Sequence, residues 1–357
     1  MSSRATGAKV SSNKSLQGQG VTHQVKEVRA GKAARVEKES LFARFLRSTE
    51  IDARLLGMLG ALALIWIGFH VYGEVVNGFG AFLTPRNLWN LSVQTASIGV
   101  MATGMVLVIV TRHIDLSVGS ILGFCAMSMA IIQVWILPDL LGLGHPMIWI
   151  ITVICGLLIG CLIGALHGYL IAYLGIPAFI VTLGGLLFWR GAAFLLARGE
   201  TISPVDDTFS KLGGGPYGSI GALGSWLIGG LACAVVLYML WQGRQKRKRF
   251  DFPMRPVWAE IFLAVVGCGA ILGFVLLVNS YPWPKGIVRQ HATANNIQTP
   301  INEIFISHGF AIPVIILLAV GVGMTFLATR TKFGRYVFAI GGNPEAAELA
   351  GIATRWV

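Results

Sequence analysis

Between residues 55 and 328 the chain is a succession of apolar segments, each about as long as a lipid hydrocarbon layer is thick, and this recurrence leaves few folds open. A core of about 30 Å needs about 20 residues of helix to cross it. Eight segments meet or approach that measure: 55–76, 88–110, 121–137, 147–173, 178–197, 220–241, 257–279 and 310–328. Lipid offers no water to backbone N–H and C=O groups, so a crossing segment must satisfy them within itself, as a helix does. The expected fold is an all-α, polytopic membrane bundle of about eight spans. Composition excludes a soluble domain: 55% of residues are hydrophobic, only 12% are charged, and the mean hydropathy is +0.70.

The net charge of +12 does not point to nucleic acid, because the basic residues gather in the tail and in a few connections between spans. Residues 1–54 hold 11 Lys or Arg and no apolar run long enough for a signal-peptide core. With eight spans, one side of the membrane receives 22 of the Lys and Arg residues and the other 5, which predicts a cytoplasmic amino terminus. The tract Arg244, Lys246, Arg247, Lys248, Arg249 anchors that assignment. It reads as a stop against translocation, with a lipid or nucleic-acid patch as the other reading. The first three dozen residues are too polar to offset the entropy of ordering them. Over 39–54, Leu41, Phe42, Phe45 and Leu46 share a helical face opposite Arg44, Arg47 and Arg54, as in a helix lying along headgroups. An ordinary cytosolic lead-in to the first span reads equally well.

Polar residues among the spans are few. Asp115, in Ile114-Asp115-Leu116-Ser117-Val118-Gly119-Ser120, stands where hydrocarbon is expected, and a carboxylate at a helix centre costs about 2.5–3.5 kcal/mol on insertion scales. In the second span Asn90, Gln94 and Ser97 follow i, i+4, i+7 spacing, fit either to line a path or, the favoured reading, to hydrogen-bond between helices. Arg190, beside Trp189 and flanked by Gly184, Gly185 and Gly191, predicts a broken or re-entrant helix. Gly156, Gly160, Gly164 and Gly168 mark a close-packing seam in the fourth span, with self-association as the alternative. The five cysteines lie in apolar segments without C-x-x-C spacing and read as packing residues, with no disulfide or metal framework and no cofactor expected.

No phosphate-cradling G-x-x-x-x-G-K-[ST] occurs, nor H-E-x-x-H, nor G-x-S-x-G. An enzyme would need a reactive constellation, and none is visible. A relay of intramembrane carboxylates or histidines, expected of ion-coupled carriage, is absent too, since Glu74 and Glu260 sit near span ends. If the chain moves a solute, its energy comes from a partner.

After the eighth span come Phe333-Gly334-Arg335-Tyr336 and then Gly341-Gly342-Asn343-Pro344-Glu345-Ala346-Ala347-Glu348, followed by Gly351-Ile352. Asn343 can cap a helix, Pro344 suits its first turn, and Glu345 complements the positive helix start. This order resembles the coupling segment of monosaccharide ABC-importer permeases. Ile114 to Ser120 and Pro177-Ala178-Phe179-Ile180-Val181-Thr182-Leu183-Gly184 resemble other segments of the same permeases. Arg112-His113 ahead of the first of these, Gly213-Gly214-Gly215 after Thr208-Phe209, and the basic insert between spans six and seven bring the resemblance closer to the xylose type than to the ribose type.

The resemblance covers about residues 50–352, and what it implies is specific. It implies a permease subunit, not itself an enzyme, that forms the path for a pentose, D-xylose by preference, in a bacterial inner membrane. Its partners would be ATP-binding subunits inside, a periplasmic sugar-binding protein outside, a second permease copy and membrane lipid, without nucleic acid. Residues 1–54 would be a cytoplasmic tail, 55–328 the permease domain, and 329–357 a coupling segment. Gly341, Gly342, Asn343, Pro344, Glu345, Ala346, Ala347 and Glu348 would meet the ATPase. Asn90, Gln94, Asp115, Ser117 and Trp189 are the candidates for the path. Loops 198–218 and 280–308 would receive the binding protein, and their Pro and Gly content argues against a folded domain of their own. Members of the family continue beyond this segment with further spans, so the chain is expected to stop short of a full permease. An ion-coupled sugar carrier is the alternative.

Overall fold

The structure, a computed structural model, describes residues 41–215, 217–297 and 299–357; the readings made for residues 1–40 lie outside these. Apart from three isolated bridges, the regular structure among the described residues is helical. In chain order the helices are α1 Leu41–Thr49, α2 Ala53–Asn77, α3 Pro85–Val110, α4 Val118–Ile131, a π-helical turn Ile132–Ile136, α5 Leu137–Leu141, α6 Ile148–Ala172, α7 Ala178–Leu196 and α8 Asp207–Leu212. They continue with α9 Gly221–Arg249, α10 Val257–Asn279, α11 Lys285–Ala294, α12 Ile312–Arg330, α13 Lys332–Gly342 and α14 Pro344–Leu349.

Eight of these runs are long and apolar enough to cross a membrane: α2, α3, the continuous run Val118–Leu141, α6, α7, α9, α10 and α12. They coincide with the eight expected segments, and the ends that move have physical reasons. Val118–Leu141 passes Pro138, where the hydropathy reading stops, because the wide turn Ile132–Ile136 puts the proline in the first turn of α5, where it is tolerated. Helix α9 continues two turns past Trp241 because Lys, Arg and Gln are good helix formers and cations suit a helix C-terminus.

The chain packs as two compact units. One comprises the described residues up to Gly68 together with Cys233–Gly269. In it the Phe45 ring of α1 packs against Trp258 at 6.1 Å and edge-on against Phe262 at 5.2 Å between centroids. Glu50, at φ 55° just beyond α1, receives Arg247 at 2.8 Å and Arg255 at 2.5 Å. Arg244 pairs with Glu260 at 2.5 Å. The helix expected over 39–54 thus exists over Leu41–Thr49, and its Phe45 is covered by protein.

The other unit comprises Phe69–Ala232 and Ala270–Val357, and it contains two groups of helices. In one, α4 packs on α7 and α6; in the other, α3 packs on α12 and α13. The second group is closed at one end by a buried core of Trp89, Val275, Val278, Phe310 and Ala311. Trp89 Nε1 donates to the Gly309 carbonyl at 2.9 Å, and Tyr281 stacks on His308 with centroids 4.3 Å apart. Gly309, at φ 69°, has no room for a Cβ because the Gly221 carbonyl and the Ser225 hydroxyl fill the place. Loop 280–308 is therefore pinned to α3 and α10 and carries α11, more order than its composition predicts.

Three expectations need correction. Helix α7 runs unbroken through Arg190, so no re-entrant break exists there. A guanidinium on a regular helix is accommodated by an adjoining cavity instead. The four-glycine seam is only half a seam: a Cβ on Gly156 would overlap Met129, one on Gly160 would just reach Cys125 Sγ at 3.9 Å, and those on Gly164 and Gly168 would meet nothing within 4 Å. The Asn90, Gln94 and Ser97 row makes no interhelical hydrogen bond among the described residues; the Ser97 hydroxyl donates back to the Gln94 carbonyl at 3.0 Å.

Candidate functional site

Residues 331–352 form a compact reversal built from local rules. Thr331 caps α13, its Oγ1 accepting from the Gly334 N–H at 3.2 Å and donating to the Leu327 carbonyl at 2.6 Å. Gly334 is buried where any Cβ would overlap the Ala328 carbonyl, so the chain can fold straight back from α12. Val337 and Ile340 continue the buried face of α13. Asn343 ends α13 and starts α14: its Oδ1 accepts from the Ala346 N–H at 3.1 Å, with Pro344 in the first turn and Glu345 beside it. Gly351, at φ 84°, closes α14 with the Ile352 N–H on the Ala347 carbonyl at 3.0 Å. Ala347 is buried, while Glu345, Glu348 and Leu349 are exposed, Leu349 by 90%. The segment thus presents two carboxylates and a bare leucine on a short capped helix.

What holds this segment in place is a residue that the sequence marked only as part of the xylose-type resemblance. Arg112, in the connection between α3 and α4 and at φ 65°, donates from Nε to the Gly341 carbonyl at 2.9 Å and from a terminal nitrogen to the Gly342 carbonyl at 2.6 Å. Those carbonyls lie at the C-terminal end of α13, where a helix leaves acceptors unfilled and carries partial negative charge. Gly341 fits against α3 only because it lacks a Cβ, which would overlap the Val110 carbonyl. A positively charged fork after a span end was the available signal, yet nothing local names its partner 229 residues away.

The connection that bears Arg112 also bears Asp115 and Ser117. Asp115 does not sit within a span; it lies in the turn before α4, where its Oδ1 accepts from the Ser117 N–H at 2.8 Å and the Ser117 hydroxyl at 2.5 Å. This local ring of bonds orders the start of α4 and leaves Ser117 fully buried. Opposite, Gly185 of α7 meets the Ser117 side chain and the His167 imidazole of α6 so closely that a Cβ would overlap the ring. His167 Nε2 accepts from Trp189 Nε1 at 3.1 Å, which puts the neutral imidazole's proton on Nδ1. Phe124 and Phe188 flank the indole at 5.0 and 4.9 Å. His167 escaped notice in the sequence because a lone histidine on an apolar span carries no spacing signal.

Of the five path candidates, Asp115, Ser117 and Trp189 therefore belong to the α4, α6 and α7 group. Asn90 and Gln94 ride on α3 with α12 and α13, Asn90 half-buried and Gln94 exposed. Next to Trp189, α4 with the turn before it and α7 border an open cavity of about 340 Å³ lined by Leu116, Gly119, Ser120, Gly123, Leu186, Arg190 and Ala193. Added Cβ atoms on Gly119 and Gly123 would meet nothing within 4 Å, so these glycines leave the wall open. A guanidinium and a hydroxyl there stand among otherwise apolar lining residues.

Eight helices long and apolar enough to cross a membrane define a multi-pass membrane protein. The chain belongs to the family described as branched-chain amino acid transport system / permease component, whose model matches residues 87–357. It is 35% identical to the xylose transport system permease protein XylH of Escherichia coli (strain K12) over 273 residues, 76% of this chain and 60% of that protein. Against XylH of Haemophilus influenzae the identity is 33% over 304 residues, covering 85% and 69%. The inner membrane ABC transporter permease protein YjfF of Escherichia coli (strain K12) is 30% identical over 298 residues, covering 82% and 60%. The chain thus spans about 60% of the length of the first of these relatives. No solved structure matches it.

Proposed function

We propose that this chain is the membrane-spanning part of an ATP-driven monosaccharide importer of a bacterial inner membrane, with D-xylose as the preferred substrate and its amino terminus in the cytoplasm. Separate ATP-binding subunits supply the energy, a periplasmic binding protein delivers the sugar to loops 198–218 and 280–308, and two permease copies assemble. Membership of the permease family, with xylose permeases among the relatives, supports the class and the sugar.

The observation that carries the mechanism is the contact of the end of α13, which leads through Asn343 into α14, with the connection between α3 and α4. Arg112 ties the end of α13 to the turn that holds Asp115 and Ser117, and that turn is the base of α4, a wall of the cavity. A push on α14 by a nucleotide-driven partner is then passed by a short chain of contacts to the helix lining the path. The neutral sugar needs hydroxyl partners and no counter-charge, which Ser120 and Arg190 can supply, with Trp189 held in place by His167.

The test is Glu345→Lys with Glu348→Lys, both exposed, in cells carrying the complete importer. ATP hydrolysis should persist while labelled-xylose uptake falls at least about tenfold, as expected when like charge replaces complementary charge across an interface. Unchanged uptake would remove the coupling assignment.

A further inference from the structure

The C-terminal end of α9 carries more positive charge than the described residues around it neutralise. The 29-residue helix is about 44 Å long, well beyond a hydrocarbon core of about 30 Å, so its last turns stand in the headgroup zone. Six cations lie from Arg244 to Arg255, and among the described residues the carboxylates that pair with them are Glu50 and Glu260. Arg244, Arg247 and Arg255 are thereby paired. Lys246, Lys248 and Arg249 are exposed and have no carboxylate partner among the described residues, Arg249 lying over the Phe250 ring at 5.8 Å.

The chain leaves α9 by a sharp reversal. The Phe252 N–H bonds to the Arg247 carbonyl at 3.0 Å across Asp251, whose φ of 51° is a conformation usually left to glycine. This folds Phe252 and Met254 back beside the helix and borders an open cavity of about 440 Å³ lined by Arg244, Arg247, Lys248, Asp251, Phe252 and Met254. Its helical wall is cationic, its returning wall is apolar, and a single carboxylate stands at the turn. Phe250 and Phe252 remain 63% and 62% exposed.

We propose that this cavity binds an anionic phospholipid with a hydroxylated headgroup, of the phosphatidylglycerol class. Lys248, with the unused guanidinium donors of Arg244 and Arg247, takes the phosphate. Asp251 accepts from the headgroup hydroxyls, and Phe252 and Met254 cover the start of the acyl chains. Lys246 and Arg249 add attraction from the flanks. The lipid completes the charge balance that Glu50 and Glu260 begin, and so fixes the α9–α10 connection at the bilayer surface.

The experiment is native mass spectrometry of the full chain in detergent, titrated with phosphatidylglycerol, phosphatidic acid or phosphatidylcholine. Wild type should retain phosphatidylglycerol at least about tenfold more tightly than phosphatidylcholine, and less tightly as salt rises. Each cation near an anionic surface contributes about fivefold, so Lys246→Gln/Lys248→Gln/Arg249→Gln should weaken retention on the order of 100-fold. The control Lys285→Gln/Arg289→Gln should retain it. Asp251→Asn, which tolerates the same backbone, should erase the preference for phosphatidylglycerol over phosphatidic acid. Equal retention of the charged and zwitterionic lipids by wild type would overturn the proposal. So would an unchanged triple variant, or displacement of the lipid by inorganic phosphate at matched ionic strength, which would mark a free-anion site.

Discussion

Replacing Arg112 by Gln should loosen the segment 339–349 without disturbing the spans. The guanidinium makes two hydrogen bonds, at 2.9 and 2.6 Å, to the last carbonyls of α13. A hydrogen bond from a charged donor contributes about 1.5–3 kcal/mol when buried. Here the side chain is exposed and water competes for both partners, so the pair together with the charge at the helix end is worth about 1–2 kcal/mol. That lowers the local opening free energy enough to raise amide exchange about 5–30-fold. The amides to follow are those of Asn343, bonded to the Ala339 carbonyl, and of Ala346 and Ala347, bonded within the Asn343 cap. Hydrogen exchange read by mass spectrometry over 339–349 measures the change, with 148–172 as internal reference. Arg112→Lys should fall between, because an ammonium keeps the charge but loses the planar fork. Exchange over 339–349 within about twofold of wild type in Arg112→Gln would refute the tie, and with it the route from α14 to α4.

Gly341→Ala places a methyl against the Val110 backbone carbonyl, which cannot yield cheaply, so thermal stability in detergent should fall by about 1–3 kcal/mol equivalent, whereas Gly164→Ala, facing open space, should change little. Gly123→Leu should fill the cavity lined by Ser120 and Arg190 and cut sugar uptake at least about tenfold while the protein still inserts; normal uptake would exclude this cavity from the path. Hydrogen bonds from Arg255 and then Arg247 hold the Glu50 carboxyl down at about 2. Its stabilising effect is therefore present above the unfolded value near 4.5 and is lost as pH falls toward 2. Because Glu50 is well exposed, the effect is about 1 kcal/mol or less. The stability gap between wild type and Glu50→Gln should shrink from pH 7 to pH 3, and a gap of the same size at both would contradict the pairing.

The features legible in the sequence share one property: each depends on residues close together in the chain. Hydropathy located eight crossing helices because a backbone in lipid must bond within its own segment, whatever its neighbours are. Asn343, Pro344 and Glu345 announced the start of α14 because capping involves only the next three residues. The Arg190 reading failed for the complementary reason. Whether a charged residue breaks a helix or faces a cavity depends on what the adjacent helix presents, and here α4 presents Gly119, Gly123 and Ser120.

Periodicity tells which face of a helix is apolar, never which helix will cover it. The row of Asn90, Gln94 and Ser97 was visible, but not that it makes no interhelical hydrogen bond among the described residues. The half-open glycine face of α6 follows from where α4 lies. So the sequence by itself determined the span number, the apolar boundaries and the local caps of this protein. Only the tertiary structure decided that Arg112 reaches Gly341 and Gly342, that His167 fixes Trp189, and that Glu50 gathers two arginines. Those partners lie 229, 230, 22, 197 and 205 residues apart, and helix packing alone brings them within hydrogen-bonding reach.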